Sequence, residues 1–580
     1  MSELKVEGRD LAVSRTSTLV HRTGSWKYIR PVYNDRVAPC NQRCPVGIDI
    51  EAYMNLLRED RLEEAMDLLL RENPMPAVTG RVCDHPCETA CSRCALDGAV
   101  AIHGVERMLG DAALERPAEP ARVLHREQVG VVGSGPAGLA CAYHLARLGY
   151  AVTVFEAAAE PGGMLRLGIP EYRLPREVLD RQIDRFRDLG INFVCNVRVG
   201  RDLAWSVLSW FDAVFLGTGA HLPRPLGLDG EDHPQVRQGL DFLADVNAGQ
   251  RPDVGRKVIV IGGGNTAMDC ARTARRLGAD VTVVYRRTRD EMPAIREEIE
   301  DAEREGVQLE FLGAPVAFRD DSEGDVIVVF ERMVLGEPDA SGRRSPQPTG
   351  ERYEHAVDLV LLATGEAASL GSLPANVEVR NGGIAVDELG ATGTHTYYAG
   401  GDVANHDRTV AHALGAGKRA AIGIDRHLRY VRGERELKDA AEARIGEQGN
   451  LSMTGWRQDD PVRRVSPLRD VVTPDDLNLT HFAPADRHTD HKPNGRTALT
   501  FAEVNLGLTQ AEAISEAKRC FNCGVCNECE LCMIYCADVA ITRGTAEGDR
   551  FLVNLDYCKG CGVCAEECPR GAISMTREGL

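Results

Sequence analysis

Long apolar runs are missing from this sequence. Nowhere do apolar residues continue for the roughly 18 positions of a membrane-spanning helix, and the first residues hold no apolar stretch of the kind that directs export. The expectation is a chain of the cytoplasm with no membrane partner. Positive charge is also in deficit: 68 Lys and Arg face 87 Asp and Glu, a net charge of −19, and only 5% of residues are aromatic. Phosphate backbones select basic faces and unpaired bases stack on aromatic platforms, so nucleic acid is not expected as a partner. With 580 residues the chain is too long for one hydrophobic core, and three to four domains are expected.

Cysteine, by contrast, is plentiful: there are 19, of which fifteen fall into two groups, Cys40 to Cys91 and Cys520 to Cys568. Disulfide frameworks belong to small exported chains, whereas clustered thiols in a reducing compartment read as cluster ligands. Cys526, Cys529, Cys532 and Cys536 stand at C-x2-C-x2-C-x3-C spacing, and Cys558, Cys561, Cys564 and Cys568 repeat it, ending in Pro569. In such runs the fourth cysteine serves the other cluster. One [4Fe–4S] cluster therefore takes Cys526, Cys529, Cys532 and Cys568, and a second takes Cys558, Cys561, Cys564 and Cys536. Ala537 stands where proline usually follows. Zinc suits a single C-x2-C pair, but not eight cysteines in this repeat.

Two glycine loops each lie between an apolar strand and a helical pattern. The first, in "VGVVGSGPAGLACAYHLARLGYAVTVFE", has Gly133, Gly135 and Gly138, with Glu156 closing the next strand. Glycines there let a backbone approach a pyrophosphate at a helix N-terminus, and an acid about 20 residues on accepts a ribose hydroxyl. This is read as an FAD site; the competing reading is a tight turn without ligand. The second loop has Gly262, Gly264 and Ala267, and its next strand ends in Tyr285, Arg286 and Arg287. Losing the acid and gaining guanidinium groups favours a 2′-phosphate, hence NADP, the alternative being an NAD site beside two solvated arginines. Asp402, in "YYAGGDVAN" before a helical pattern, is a candidate for the flavin ribityl chain. The order is nested: flavin half, nicotinamide domain, flavin half.

The strings "GRVC" at 80, "PGGMLRLGIPEYRLP" at 161, "YRRTRDEMPA" at 285 and "AGGD" at 399 resemble the small subunit of glutamate synthase and its relatives, the transhydrogenase-type and dihydropyrimidine dehydrogenase flavoproteins, over residues 40–430. The resemblance adds Gly163 to the FAD site and implies that Cys44, Cys83, Cys87 and Cys91 hold the cluster nearest the flavin. It implies a neighbouring cluster held by an upstream C-x2-C pair, one more Cys and a Glu or Gln. Cys40 and Glu106 match the last two, with Cys94 a competitor to Glu106, but no C-x2-C lies upstream of Cys40. "AEAISEAKRCFNCG" at 511 is similar to the missing piece, so Cys520 and Cys523 are expected to reach back, giving four [4Fe–4S] clusters in all.

The ends carry a further resemblance. "RTGSWKYIRPVY" at 22 and "NLDYCKGCGVCAEECPRGAISM" at 554 are similar to the ferredoxin-like delta subunit of 2-oxoacid:ferredoxin oxidoreductases. That implies a hetero-oligomer in which a thiamine-diphosphate partner oxidises a 2-oxoacid to an acyl-CoA and this chain reduces NAD(P)+. The alternatives are a glutamate-synthase-type small subunit, or an NAD(P)H:ferredoxin oxidoreductase serving another partner; a scaffold with structural clusters is the reading from a different class. Hydride transfer needs no acid–base side chain, so no catalytic residue is nominated, and His103 and His412 are read as structural. The fold class is multidomain α/β: an N-terminal extension (1–39), a helical iron–sulfur domain (40–124), an FAD-binding half (125–250), a nicotinamide domain (251–362), the second FAD half (363–430), a linker (431–519) and an α+β ferredoxin-like domain (520–580).

Overall fold

A computed structural model describes residues 22–578 except 322–324, 340–341, 372, 395, 405–406, 436, 458–469, 494–498 and 545–549. No helix among the described residues is long and apolar enough to cross a membrane.

Two parallel sheets form the centre. The first has the order Tyr397–Ala399, Ala213–Leu216, Gln128–Val132, Ala151–Phe155, Asn192–Val194. Its middle strands are apolar almost throughout, as strands covered by helices on both faces must be. The outermost strand, Tyr397–Ala399, comes from the far side of the nicotinamide domain, so the nested order is realised. The helix that follows it, Val410–Val431, packs on the helix Pro136–Arg147 after the first glycine loop.

The second sheet has the order Gln308–Phe311, Asp280–Tyr285, Lys257–Ile261, Leu359–Leu362, Val236–Gln238. The last strand moves a boundary. Val236–Gln238 and the helix Gly239–Asn247 belong to the nicotinamide domain, although the sequence places them in the flavin half. The chain crosses between domains at Leu222–Pro223 and returns at Glu366–Ala367, and these two short strands pair antiparallel. Val236–Gln238 is three residues long and half-buried, too short to show a periodicity. The sequence reading also had no counterpart for an antiparallel sheet of Gly313–Asp320, Val326–Pro338 and Arg344–Val357. Its Phe318, Val328 and Phe330 pack against Ile259, Ile261 and Val284 of the parallel sheet.

The N-terminal cysteine segment is helical, as expected. Its helix Leu62–Glu72 ends at the fully buried Glu72, whose carboxylate takes Lys418 Nζ at 2.7 Å, Ser452 Oγ at 2.6 Å and the backbone N–H groups of Met453 and Thr454. Burial opposes its charge, but Lys418 and these donors outweigh it and hold the carboxyl below its ordinary value. One ion pair thus joins the cluster domain, the second flavin half and the segment after it.

The linker hugs the surface. Ala440, Ala443, Leu451, Met453 and Trp456 pack around Ile422 of the flavin helix. Residues 483–493 and 499–508 lie as straps across the domains: Asp490 holds His103 at 2.8 Å, Glu503 holds Arg81 at 2.7 Å, Lys492 reaches Asp301 of the nicotinamide domain at 2.8 Å, and Val504 N donates to Tyr172 O at 2.9 Å.

The two ends meet. Ile29–Tyr33 pairs antiparallel with Ile573–Arg577, and Gly24 N donates to Asp556 O at 2.8 Å. The described part of the N-terminal extension is therefore an added strand of the C-terminal module; residues 1–21 of that extension lie outside the described residues.

Breaking a buried pair from one side leaves an uncompensated charge, which costs about 3–5 kcal/mol. Glu72→Ala should lower stability by that order in chemical unfolding followed by flavin fluorescence, while substitution of the exposed Glu434, paired to Arg429, should change it by under about 1 kcal/mol.

Candidate functional site

Packing accounts for the glycines of the first loop. Gly133 adopts φ +98°, and a Cβ there would stand 2.5 Å from Gly217 O; at Gly138 it would stand 2.0 Å from Gly133 O. At Gly135 a Cβ would meet nothing within 4 Å, so the space before the helix Pro136–Arg147 is open. Open space facing the first N–H groups of a helix is where a pyrophosphate binds. Glu156 stands beside it, accepting from Ser134 N at 2.9 Å and Ala158 N at 2.8 Å and also from Ser134 Oγ. Gly163, at φ +53°, lies where a Cβ would come within 2.8 Å of Gly135 Cα, so "PGG" folds over the loop. Asp402 follows Gly401, which abuts Ala137 in the first turn of the same helix, and burial pushes the Asp402 carboxyl up. Thr218 Oγ1, just after Gly217, is buried without a hydrogen-bond partner among the described residues, as a hydroxyl awaiting a ligand would be. This set fits FAD.

The second loop repeats the design. Gly262, at φ +148°, lies where a Cβ would come within 2.3 Å of Ala363 O, Gly264 faces open space, and Ala267 is fully buried. Where the first unit has a glutamate, the ring of Tyr285 lies against Gly263 and its hydroxyl donates to Glu291 O at 2.9 Å. No carboxylate is offered to a ribose diol there. The two arginines part company. Arg286 is exposed, but Arg287 is buried, donating to Arg344 O of the antiparallel sheet at 2.7 Å and paired with Asp339, just past the strand Val326–Pro338. Arg287 is thus corrected from a nucleotide ligand to a tie between that sheet and the loop. Both arginines lie in the bend just after the strand Asp280–Tyr285, where their directions are set by the contacts of Arg287 and not by strand alternation.

The N-terminal thiols form two sets, divided differently from the expectation. Cys40, Cys91, Cys520 and Cys523 line one cavity. The last two arrive on the helix Gln510–Arg519, which packs on the helices Ile50–Arg58 and Ile102–Leu114. Arg519 locks it by donating to Glu516 at 2.8 Å and to Gly98 O at 3.1 Å. Cys520 and Cys523 therefore do reach back to Cys40, but Glu106 is not with them. It accepts from Asn73 Nδ2 at 2.9 Å and from Thr79 Oγ1, and its charge acts on Cys44, Cys83 and Cys87. Burial pushes its carboxyl up to about 7 and the Cys44 thiol up to about 11. Glu106 and Cys91 thus exchange places relative to the expectation. Cys87 lies in the one-turn helix Pro86–Thr89 and Cys91 two residues beyond its end, and they go to different sets. Cys94, the competitor to Glu106, is exposed and outside the cavity.

In the C-terminal module Cys568 lies near enough to act on Cys526 and Cys532, and Cys536 near enough to act on Cys558 and Cys564. Cys529 and Cys561, members of the same runs, are exposed. Backbone N–H groups point at sulfurs, His85 N at Cys83 and Asn522 N at Cys520 at 3.4 Å, Ala540 N at Cys536 at 3.3 Å. Such donors favour thiolates. Among the described residues no three His, Cys, Asp or Glu converge as on a single ion. A four-iron cube binds each thiolate at a different iron, so wide sets of four fit clusters better than lone metals.

His103 is structural, as expected, but it is paired: its ring nitrogens lie 2.8 Å from Glu88 and from Asp490, and its ring stacks on His85 at 4.0 Å. Burial disfavours its charge, yet the two carboxylates win and hold its pKa up at about 10. Cys141 and Cys270 are fully buried and Cys195 is partly so, away from the loops' open spaces.

Cys91→Ser should remove the same paramagnetic cluster signal as Cys520→Ser, and Glu106→Ala should perturb a different one; iron content with low-temperature EPR checks this. Charge-assisted contacts contribute about 1.5–3 kcal/mol. Arg286→Ala should therefore raise the KM for NADPH by about ten- to a hundredfold with little change for NADH, whereas Arg287→Ala should lower stability.

Comparison with known proteins agrees with this geometry. The pyridine nucleotide-disulphide oxidoreductase family matches residues 127–420. The dihydropyrimidine dehydrogenase domain II, 4Fe-4S cluster family matches 33–118, and a 4Fe-4S binding domain matches 551–574. The chain is similar to NADPH-Fe(3+) oxidoreductase subunit beta of Geobacter sulfurreducens, 36% identical over 526 residues that cover 84% of this chain and 75% of the relative. The NADP(+)-dependent formate dehydrogenase subunit beta of Moorella thermoacetica is 37% identical over 524 residues, 84% of this chain and 70% of the relative. The glutamate synthase [NADPH] small chain of Escherichia coli is 36% identical over 418 residues, 66% of this chain and 87% of the relative. With two nucleotide loops between thiolate sets at both ends, the chain belongs to the pyridine nucleotide-disulphide oxidoreductase family and is an FAD- and nicotinamide-dependent iron–sulfur oxidoreductase.

Proposed function

We propose that this chain is the NADP(H)-handling subunit of a larger complex, exchanging electrons between the nicotinamide and a partner through FAD and four [4Fe–4S] clusters. The observation that carries this is contiguity. The loop after Cys44 presses on the flavin helix Val410–Val431, where a Cβ on Gly415 would stand 2.1 Å from Pro45 O, and Lys418 of that helix donates to Gly47 O at 3.2 Å. Cys40 and Cys44 lie one helical turn apart, and Cys44 N donates to Cys40 O at 3.1 Å. Cys523 and Cys526 are three residues apart, and the two C-terminal runs share cysteines. Each set of ligands thus adjoins the next, from flavin domain to C-terminal module.

A flavin when bound supplies the conversion of a hydride into single electrons. The chain holds nicotinamide against it: buried Arg173 binds Asp269 of the nicotinamide domain at 2.9 and 3.0 Å and Glu298 at 2.8 Å, and Tyr172 O–H donates to Asp269 O. NADP rather than NAD is supported by Tyr285 in place of an acid, by exposed Arg286, and by the names of the relatives. At the far end, Ile534, Tyr535, Val539 and Val563 are exposed around the exposed Cys529 and Cys561, a face suited to a partner's redox centre.

The relatives compared here are named for iron(III) reduction, formate oxidation and glutamate synthesis, and they favour an NADP(H)-linked subunit serving another partner over the 2-oxoacid reading. The two ends pair as strands of one module, an arrangement that does not specify a thiamine-diphosphate partner.

The test is anaerobic purification of the tagged chain from its own host, with mass spectrometry of what accompanies it and titration with NADPH. A co-purifying redox subunit and flavin bleaching by NADPH are expected. Recovery of thiamine-diphosphate subunits would restore the 2-oxoacid reading, and a flavin that NADPH leaves oxidised would overturn the proposal.

A further inference from the structure

The two C-terminal thiolate sets arise from the same spacing, yet they are not equivalent in the folded chain. The strand Ile29–Tyr33, supplied by the opposite end of the sequence, lies on Ile573–Arg577 and carries Tyr33 into the module. The Tyr33 ring stacks on Phe551 with centroids 5.7 Å apart, and its hydroxyl stands 3.1 Å from Cys532 Sγ. The sister position in the repeat is Cys564, third in its run as Cys532 is in its own. Among the described residues no side-chain hydroxyl bonds to Cys564. Among the described residues a phenol is thus hydrogen-bonded to the third cysteine of one run and none to the third cysteine of the other.

We propose that Tyr33 is a positioning residue for the electron path: its O–H donates to the Cys532 thiolate and raises the reduction potential of the Cys526, Cys529, Cys532 and Cys568 cluster above that of its twin. The inference rests on the cluster assignment under the proposed function. A cluster gains one negative charge on reduction, so a donor to a ligand sulfur stabilises the reduced state more than the oxidised one. The phenol is a donor at neutral pH, since a tyrosine keeps its proton up to a pH of about 10. Phe551 and the strand pairing keep its ring in place, so the bond does not depend on a mobile side chain.

The position of this set gives the device its use. Cys526 follows Cys523 of the cavity set by three residues, and Gly524 N donates to Arg570 O at 2.6 Å between them, so the Cys526 set is the one that adjoins the flavin side. The Cys558 set is the outer one. A higher potential at the inner set draws electrons inward from a partner and holds them one step from the N-terminal clusters. The segment 22–37 would then be more than a strand that completes a sheet: it would supply the difference between two otherwise similar carriers.

The test is a potentiometric EPR titration of the holoenzyme and of Tyr33→Phe, with iron and flavin content measured on both. One signal should move to lower potential in the variant, with at least about a tenfold fall in its reduced-to-oxidised ratio at fixed ambient potential, a shift of about 59 mV for a one-electron couple. The other signals should stay in place. A more acidic, isosteric fluorotyrosine at position 33 should move the same signal upward and leaves the packing intact should Tyr33→Phe lose a cluster. Full iron content with no shift in either variant, or equal shifts of all signals, would overturn the tuning role. Iron too low for four clusters in the unaltered protein would instead overturn the assignment beneath it.

Discussion

One cavity holds this molecule to its topology. Cys40 and Cys91 from the N-terminal helices face Cys520 and Cys523, which lie more than four hundred residues later in the chain. A four-thiolate site cannot form until the chain has traversed both nucleotide domains and returned, so the helix Gln510–Arg519 must dock between the helices Ile50–Arg58 and Ile102–Leu114. Arg519, buried and bonded to the carbonyls of Gly98 and Ala99, fixes the register of that return. A cluster bound by these four thiols would couple its binding to folding, because the ligands are scattered in the unfolded state.

The nucleotide domains are held to this frame by buried charge. Glu72 with Lys418 ties the cluster helices to the flavin helix, and Arg173 with Asp269 and Glu298 ties the flavin loop to the nicotinamide domain. The strap adds His103 with Glu88 and Asp490. Such groups stabilise little against an apolar alternative, but each is costly to leave unpaired. They therefore act mainly on orientation: a misplaced domain would strand a buried ion. For an electron path, orientation is what matters, since neighbouring carriers must stay close.

The glycine loops were legible because their chemistry is local. Gly133 and Gly138 are imposed by contacts within a few residues or across one strand, and Gly135 is imposed by the ligand space itself. The repeated C-x2-C-x2-C-x3-C runs were legible for a similar reason, since their spacing is local, and the fold brings Cys568 near Cys526 and Cys536 near Cys558. Three features were not. The exchange of Cys91 with Glu106 depends on which way the single turn Pro86–Thr89 sends the chain. The loss of Arg287 to Asp339 depends on an antiparallel sheet without a sequence signature of its own. The crossover at Leu222–Pro223 depends on two-residue strands that carry no periodicity.

By itself the sequence determined the kinds of site and their number: two dinucleotide loops, cysteines in cluster spacing at both ends, and the nested order of halves. These follow from residue types at short range, where backbone geometry and side-chain chemistry leave few choices. Only the tertiary structure decided which cysteines line one cavity, which arginine stays exposed beside the second loop, and that the strand Ile29–Tyr33 closes on the far end to put a phenol beside one thiol. Those are contacts between residues far apart in the chain. They are set by how buried surfaces and buried charges find partners in three dimensions, and no local pattern encodes them.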